Sequence, residues 1–144
     1  MIPRERWHWC GYGGHFIAAD RCRLRMHTRV GAYRISTVGH YVVRGRIENV
    51  GAGRTFETMV FALRMDGSPE AEPMNWSEAV EMRPYNDSRA AEAGHIALCE
   101  KYAAIQEDDG EVWDAAALER YALADPSPRN HGTLWDRHEA RTAE

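Results

Sequence analysis

A glutamate and a histidine are the residues of this chain that best fit acid–base chemistry. Glu57 lies in RTFETMVFALR, a run that otherwise has the pattern of a buried strand, and His95 lies at the centre of an amphipathic segment further along the chain. If that segment covers the strand carrying Glu57, the carboxylate and the imidazole meet as a buried polar pair, and burial shifts the pKa values of both groups. The same pair also fits a structural role, in which two buried polar groups satisfy each other. We interpret it as structural, because no motif places a nucleophile or a second carboxylate beside it.

Four residues have side chains that bind metals such as zinc. His95 and Cys99 are one helical turn apart, and Cys22 or His27 could join them from an earlier strand. However, the sequence has no CxxC or HExxH motif, and cysteines commonly serve as small buried apolar residues. The three cysteines, which include Cys10, are odd in number and far apart, which argues against a disulfide framework. We therefore predict no metal site and no cofactor.

Basic residues concentrate in the N-terminal half of the chain. Residues 1–64 contain eleven arginines and four acidic residues, a net charge of +7, whereas residues 65–144 contain seven basic and eighteen acidic residues, a net charge of −11. In DRCRLRMHTRV the basic side chains alternate with apolar ones, so a strand places them on one solvated sheet face. The predicted binding surface comprises Arg21, Arg23, Arg25, His27, Arg29 and Arg34. This face either binds an acidic protein or nucleic-acid phosphates, or is neutralised by the acidic half of the same chain.

A protein partner is favoured over nucleic acid for this arginine face. Surfaces that bind nucleic acid usually interleave aromatic side chains for base stacking, and here only His27 interrupts the arginines. The aromatic side chains lie instead near the N-terminus, at Trp7, Trp9, Tyr12 and Phe16. They either form a partner-binding hot spot or cover an open sheet edge or core, and we favour the second role.

The elements that position these residues follow from hydrophobic periodicity. Alternation predicts strands within residues 20–30, 32–38, 40–50 and 54–64, with glycines at the connections and a break in the third strand at Gly45. NWSEAVEMRPY predicts a short helical turn that ends before Pro84. The best helix is NDSRAAEAGHIALCEKYAAI, which starts with capping residues and places on one face Ala91, His95, Leu98, Tyr102 and Ile105.

Strands followed by helices indicate an α+β fold. We predict an antiparallel sheet of about four strands with one face covered by the C-terminal helix, a second helix at VWDAAALERYAL and an irregular N-terminal arm. Residues 1–125 form this single domain, and residues 126–144 form a loosely docked polar tail. No apolar run is long enough to span a bilayer and the N-terminus lacks the apolar core of a secretory signal, so we expect a cytoplasmic protein without membrane contact. A homo-oligomer through an exposed sheet edge is a further option.

Three segments carry a resemblance to known proteins. CRLRMHTRVGAYRISTVGHY, GAGRTFETMVF and, after YN, AAEAGHIALCEKYA occur in this order between residues 7 and 104. In these segments the chain resembles a widespread family of small accessory proteins of tailed phages and prophages. Those relatives often carry a longer insertion between STVGHY and GAGR, and some have cysteines after ETMVF that this chain lacks. The resemblance implies a phage origin and an accessory role in the host cell, and it brings no activity with it.

These observations predict a small non-enzymatic phage accessory protein that binds and modulates a host or anti-phage-defence protein with an acidic surface. The alternative is a nucleic-acid or nucleotide-binding protein that uses the arginine-lined sheet face. A third hypothesis is a small enzyme that works through Glu57 and His95. Salt titration of binding to generic DNA or RNA separates the first two hypotheses, because phosphate contacts give a steep salt dependence. A Glu57→Gln or His95→Ala protein that folds and keeps its biological effect would exclude the third.

Overall fold

The chain folds into an antiparallel sheet packed against an α-helix. The computed structural model describes residues 1–10, 21–50, 53–64, 73–75, 77–108 and 110. The predicted second helix and the polar tail at residues 126–144 lie outside these ranges. The described elements are a 3-10 turn at Arg4–Arg6, β1 (His8–Cys10), β2 (Cys22–Val30), β3 (Tyr33–Val43), β4 (Arg46–Glu48), β5 (Phe56–Ala62), β6 (Glu81–Tyr85) and α1 (Ser88–Ala104). The predicted α+β class is confirmed, with six strands in the sheet.

The sheet is built around three central strands in the order β2-β3-β5. β1 lies outside β2, β6 lies outside β5, and β4 pairs with the end of β3. Across the central strands Thr28 pairs with Ile35, and Ile35 pairs with Val60, so these three residues share one face and are fully buried. The predicted strand is confirmed, and its apolar face is buried at Cys22, Leu24, Met26, Thr28 and Val30, but exposure alternates with burial only as far as Met26, because His27 and Arg29 are buried as well.

Helix α1 covers the sheet face that carries Thr28 and Ile35. Its N-cap is Asp87, whose carboxylate accepts a hydrogen bond of 2.8 Å from the backbone amide of Ala90. The predicted helix is confirmed, although Ile105 follows the last helical turn and is 64% exposed. No helix in the described ranges is long and apolar enough to cross a membrane. The main core between helix and sheet comprises Ile2, Trp7, Val30, Ile35, Val60, Leu98, Cys99, Tyr102 and Ala103.

The first ten residues are more regular than the predicted arm. Trp7 is buried in the main core, and the backbone amide of Ile2 donates a 3.0 Å hydrogen bond to the carbonyl of Ala103 at the end of α1. β1 then pairs with β2, so that His8 lies opposite Arg29. The predicted covering role is thus confirmed for Trp7. Tyr12, Phe16 and the side chain of Trp9 lie outside the described part of the chain.

A tight hairpin replaces the separate strand predicted within residues 40–50. β3 continues through His40 to Val43, and the chain reverses at Arg44 and Gly45, which have φ angles of 51° and 76°. Two successive positive φ angles define a two-residue turn of the mirror-image type, whose twist matches that of paired strands. The returning strand β4 then pairs with β3, with Val43 opposite Arg46.

The predicted helical turn before Pro84 is wrong, because Glu81–Tyr85 forms the strand β6. It pairs with β5, with Phe56 opposite Tyr85 and Thr58 opposite Arg83. Pro84 fits this position because an edge strand tolerates the loss of one backbone donor. Alternation of Glu81, Arg83 and Tyr85 with Met82 and Pro84 is the period-two signal that the prediction passed over.

Candidate functional site

Glu57 and His95 are both buried, but they do not form the predicted pair. Thr37 and Thr58 lie opposite each other on β3 and β5, and Thr37 Oγ1 lies 2.7 Å from Nδ1 of His95, so both threonines face the helix. Glu57 neighbours Thr58 in the strand and lies opposite Val38, so it faces away from the helix. The prediction was wrong because both faces of β5 are largely apolar, and the sequence does not show which of them the helix covers.

His95 instead anchors the helix to a ladder of threonines. Its Nε2 lies 2.7 Å from Thr28 Oγ1, its Nδ1 lies 2.7 Å from Thr37 Oγ1, and Thr37 Oγ1 lies 2.5 Å from Thr58 Oγ1. All four side chains are fully buried. Burial lowers the pKa of His95 to about 3, so the imidazole is neutral at physiological pH, with one nitrogen donating and the other accepting.

The hydrogen-bonded chain extends beyond the threonines at both ends. Thr58 is hydrogen-bonded to the Tyr85 hydroxyl, and Thr28 is hydrogen-bonded to the Cys99 thiol. Burial raises the pKa of Cys99 to about 12 and also raises the pKa of Tyr85. Gly94 makes room for this arrangement, because a Cβ at that position would collide with the Tyr85 ring. These six side chains, Cys99, Thr28, His95, Thr37, Thr58 and Tyr85, form what we call the buried polar chain.

The buried polar chain is suited to structure rather than to reaction. Both nitrogens of His95 are engaged by hydroxyl groups, and the residue has no exposed surface that a substrate could contact. The Cys99 thiol is protonated at neutral pH and is equally inaccessible. A satisfied network of this kind fixes one position of the helix on the sheet, because any shift would leave buried hydroxyls without partners.

The metal ligands considered from the sequence are not brought together. His27 follows Met26 and precedes Thr28 in β2, so its side chain faces away from the helix that carries His95 and Cys99. Cys22 belongs to a separate apolar cluster with Val38. In the described part of the chain, no group of three histidine, cysteine or acidic side chains is arranged to hold a metal ion.

The six residues of the predicted arginine face differ in exposure. Arg29 lies directly opposite Arg34 on β3, and both face away from the helix together with His27 and Arg25. However, His27, Arg29 and Arg34 are buried, with exposed fractions of 8%, 4% and 8%, and Arg25 is half-buried. The expectation of a solvated face is therefore wrong for this part of β2 and β3. Only Arg21 and Arg23, at the start of β2, are exposed.

The buried section of this face is a polar environment with several positive charges. Arg29 Nε donates a 3.0 Å hydrogen bond to the carbonyl of Gly31. Burial, together with the charges of Arg29 and Arg34, lowers the pKa of His8 on the neighbouring strand. Glu57 is buried on the same face of the sheet, 8% exposed, and places a carboxyl group there. These residues therefore belong to the interior and are not available as a docking surface.

Four exposed arginines lie at one end of the sheet. Cys22, at the start of β2, pairs with Tyr41, which leads into the β3–β4 hairpin. Arg21 lies over the ring of Tyr41, with its guanidinium carbon 5.5 Å from the ring centroid, and this contact restricts the arginine. We call the exposed group formed by Arg21, Arg23, Arg44 and Arg46 the basic end.

Sequence reasoning missed the two hairpin arginines of the basic end. It predicted residues 40–50 as one strand broken at Gly45, and it did not predict that the chain reverses there in a turn that includes Arg44. The hairpin also exposes a cross-strand apolar pair, because Val42 is 40% exposed and lies opposite Ile47, which is 65% exposed. The arrangement combines four cationic groups with a small apolar surface.

Comparison with known proteins gives no family assignment. No protein-family model matches the chain. No curated protein matches it either. No solved structure matches it.

Proposed function

We propose that this chain is a small non-enzymatic accessory protein that binds an acidic surface of another protein through its basic end. The observation that carries the proposal is that four exposed arginines and the exposed pair of Val42 and Ile47 lie at the same end of the sheet. Guanidinium groups bind carboxylates in bidentate geometry and are weakly hydrated, so they suit protein interfaces. Apolar side chains surrounded by charge are typical of interface patches.

The biological setting of this proposal comes from the resemblance to phage and prophage accessory proteins. In that setting the partner is a host protein or a component of an anti-phage defence system, which the chain would bind and modulate in the host cytoplasm. A cluster of arginines accelerates encounter with an acidic partner, because opposite charges steer the two surfaces together. A small phage protein without chemistry of its own can act by occupying such a surface.

The position of the candidate catalytic residues supports a non-enzymatic role. Glu57 and His95 lie on opposite faces of the sheet. His95 is fully buried and hydrogen-bonded within the buried polar chain. Acid–base catalysis requires two groups within reach of the same substrate atom. The hypothesis of an enzyme that works through this pair therefore loses its geometric basis.

A protein partner fits the basic end better than nucleic acid does. Among the described residues, the exposed large apolar side chains are methionine, valine and isoleucine, without an exposed aromatic ring. Tyr41, the aromatic residue nearest the arginines, is itself buried beneath Arg21. Single-stranded nucleic acid is commonly held by stacking of bases on exposed aromatic rings. The basic end, as far as the described residues show, provides positive charge but no exposed aromatic ring on which a base could stack.

The proposal is tested by comparing two charge reversals with the same change of net charge. Arg46→Glu lies in the basic end, whereas Arg64→Glu changes an exposed arginine outside the basic end. Each variant and the wild-type chain serve as bait in a host lysate, and captured proteins are identified by mass spectrometry and then purified for direct titration. We expect an acidic partner whose affinity falls about tenfold with Arg46→Glu and less than about twofold with Arg64→Glu.

A salt titration decides between protein and nucleic acid. Phosphate contacts give a steep linear fall of log affinity with log salt concentration, with a slope of about −0.7 to −0.9 per contact. Binding of generic DNA or RNA with such a slope, abolished by Arg46→Glu, would overturn the proposal in favour of the nucleic-acid alternative. Equal loss of a captured protein partner with Arg46→Glu and Arg64→Glu would show that the basic end is not the binding surface.

A further inference from the structure

We infer that the acidic partner binds as an extended segment added to the outer edge of β4. This inference rests on the proposed function and specifies how the basic end would recognise its partner. β4 pairs with β3 alone among the described strands, and all three of its residues are exposed. An open strand edge accepts another strand through backbone hydrogen bonds, which is a common mode of peptide recognition.

The hairpin geometry shows which backbone groups face the open edge. Val43 and Arg46 flank a two-residue turn, so they form the closing pair whose backbone groups bond to each other. Pairs alternate along an antiparallel ladder, and the next pair, Val42 and Ile47, is therefore the type without mutual hydrogen bonds. The N–H and C=O of Ile47 consequently point outward, and they give the edge one donor and one acceptor.

The side chains of β4 specify the composition of the added segment. Ile47 and its neighbour Val42 present an apolar surface on one side of the hairpin, and Arg46 projects to the other side because side chains alternate along a strand. A segment that alternates acidic and apolar residues would place its carboxylates on the side of Arg46 and its apolar residues beside Ile47, where they extend the apolar surface shared with Val42. The basic end therefore fits an acidic strand with period-two alternation.

The edge formed by β6 is less suited to this role. β6 contains Pro84, which lacks a backbone donor, and its Glu81 and Arg83 are already paired with each other. Glu81 also adds a negative charge that would repel an acidic segment. Of these two edges, β4 combines an outward donor and acceptor with two exposed arginines, Arg44 and Arg46, which form no ion pair within the described residues and outnumber the one acidic residue of the hairpin, Glu48.

The test uses a fluorescent peptide of about ten residues that alternates glutamate and valine, titrated against the full chain by fluorescence anisotropy. Ile47→Pro removes the outward N–H, whereas Ile47→Val keeps it and changes the side chain little. We expect Ile47→Pro to weaken binding at least about tenfold and Ile47→Val less than about twofold. Circular dichroism and thermal melting confirm that both variants fold, as expected for a substitution at an exposed edge.

A second probe makes the test independent of any effect of proline on the hairpin. The same peptide is prepared with its amides methylated either at the glutamates or at the valines. In an added strand, alternate residues direct their backbone N–H groups toward β4, so either the glutamate amides or the valine amides face it. Methylation of that set should abolish binding, and methylation of the other set should leave binding unchanged. Equal binding of both methylated peptides, or unchanged binding to Ile47→Pro, overturns the inference.

The outcomes separate this inference from the proposed function. If a protein partner depends on Arg46 but not on the Ile47 amide, the basic end binds acidic surfaces without strand addition. If the alternating peptide does not bind the wild-type chain at all, strand addition is likewise overturned, while capture of a partner that depends on Arg46 would still support the proposed function. A dimer in sedimentation that Ile47→Pro abolishes would assign the edge to a second copy and overturn the acidic occupant.

Discussion

The Nδ1 atom of His95 lies 2.7 Å from the hydroxyl oxygen of Thr37, and both residues are fully buried. Thr37 lies on the central strand β3, and the other ring nitrogen of His95 reaches Thr28 on β2. One side chain of the helix therefore engages two strands of the sheet. This relationship makes the imidazole a positioning element of the fold, and its consequences for stability can be measured.

Replacing His95 with leucine should destabilise the fold even though leucine is well suited to a buried position. His95→Leu leaves the hydroxyl groups of Thr28 and Thr37 without the imidazole partner, and we expect the free energy of unfolding to fall by about 2–4 kcal/mol. Urea denaturation measures this loss. The triple variant His95→Leu, Thr28→Val, Thr37→Val also removes the two hydroxyl groups that have lost their partner. It should recover at least half of the lost free energy of unfolding. A leucine variant as stable as the wild type would contradict the anchoring role.

His95 should also make folding stability depend on pH. Its pKa is about 3 in the folded chain, below the ordinary value of 6.5, so the unfolded chain binds one more proton between these two pH values. Stability is therefore complete above pH 6.5 and falls as the pH decreases toward 3, by up to about 1.4 kcal/mol for each pH unit. His8 and His40 have lowered pKa values as well and act in the same direction.

The contribution of His95 is isolated by comparing two pH profiles. Urea midpoints of the wild type and of His95→Leu are measured between about pH 7 and pH 5, above the range in which an ordinary carboxyl group titrates. The wild type should lose more stability over this interval than the leucine variant, by about 2 kcal/mol at most. If stability depended on pH in the same way in both proteins, the pKa of His95 would not be lowered by folding.

Glu81 should stabilise the contact between β6 and the end of α1. Its carboxylate accepts hydrogen bonds from Lys101 Nζ at 2.6 Å, from Tyr102 Oη at 2.8 Å and from Arg83 Nε at 2.8 Å. Lys101 makes the largest contribution to lowering the pKa of Glu81 to about 2, with Tyr102 and Arg83 adding to it. Because the folded pKa lies below the unfolded value of 4.5, this stabilisation is complete above pH 4.5 and is lost as the pH falls toward 2.

Glu81→Gln should lower the free energy of unfolding by about 1–2 kcal/mol at neutral pH, since exposed lysine and arginine partners weaken the effect through solvent screening. The matched control is Glu78→Gln, which alters an exposed glutamate nearby without an ion pair among the described residues. Chemical denaturation should show a loss for the first variant and almost none for the second. Equal stability of the two variants would contradict the role of Glu81.

Gly94→Ala should destabilise the chain although alanine favours helix formation. A methyl group at this position collides with the ring of Tyr85, so the ring must move and the hydrogen bond between Thr58 and Tyr85 is lost. We expect a net loss of about 1–2 kcal/mol in thermal or urea unfolding. In a Tyr85→Ala background the collision is absent, and the same substitution should stabilise the helix by about 1 kcal/mol. If Gly94→Ala changed the free energy of unfolding in the same direction in the wild-type and Tyr85→Ala chains, the collision would be contradicted.

Much of the fold follows from local sequence pattern. The alternation of Leu24, Met26 and Thr28 with basic residues determines β2, because a strand sends successive side chains to opposite faces. Asp87 and the spacing of His95, Leu98 and Tyr102 determine the helix and its buried face. Each of these features depends on residues that are close together in the chain, so the sequence is sufficient to predict them.

The candidate site was decided by contacts between distant residues. The sequence identified Glu57 and His95 as buried polar groups, but the side of β5 that the helix covers depends on the register between β3 and β5. It identified Arg29 and Arg34 as neighbours of the other arginines, but their burial depends on the tertiary environment of that sheet face. Periodicity determines which residues share a face of an element; which face becomes interior depends on what packs against it, and only the tertiary structure contains that information.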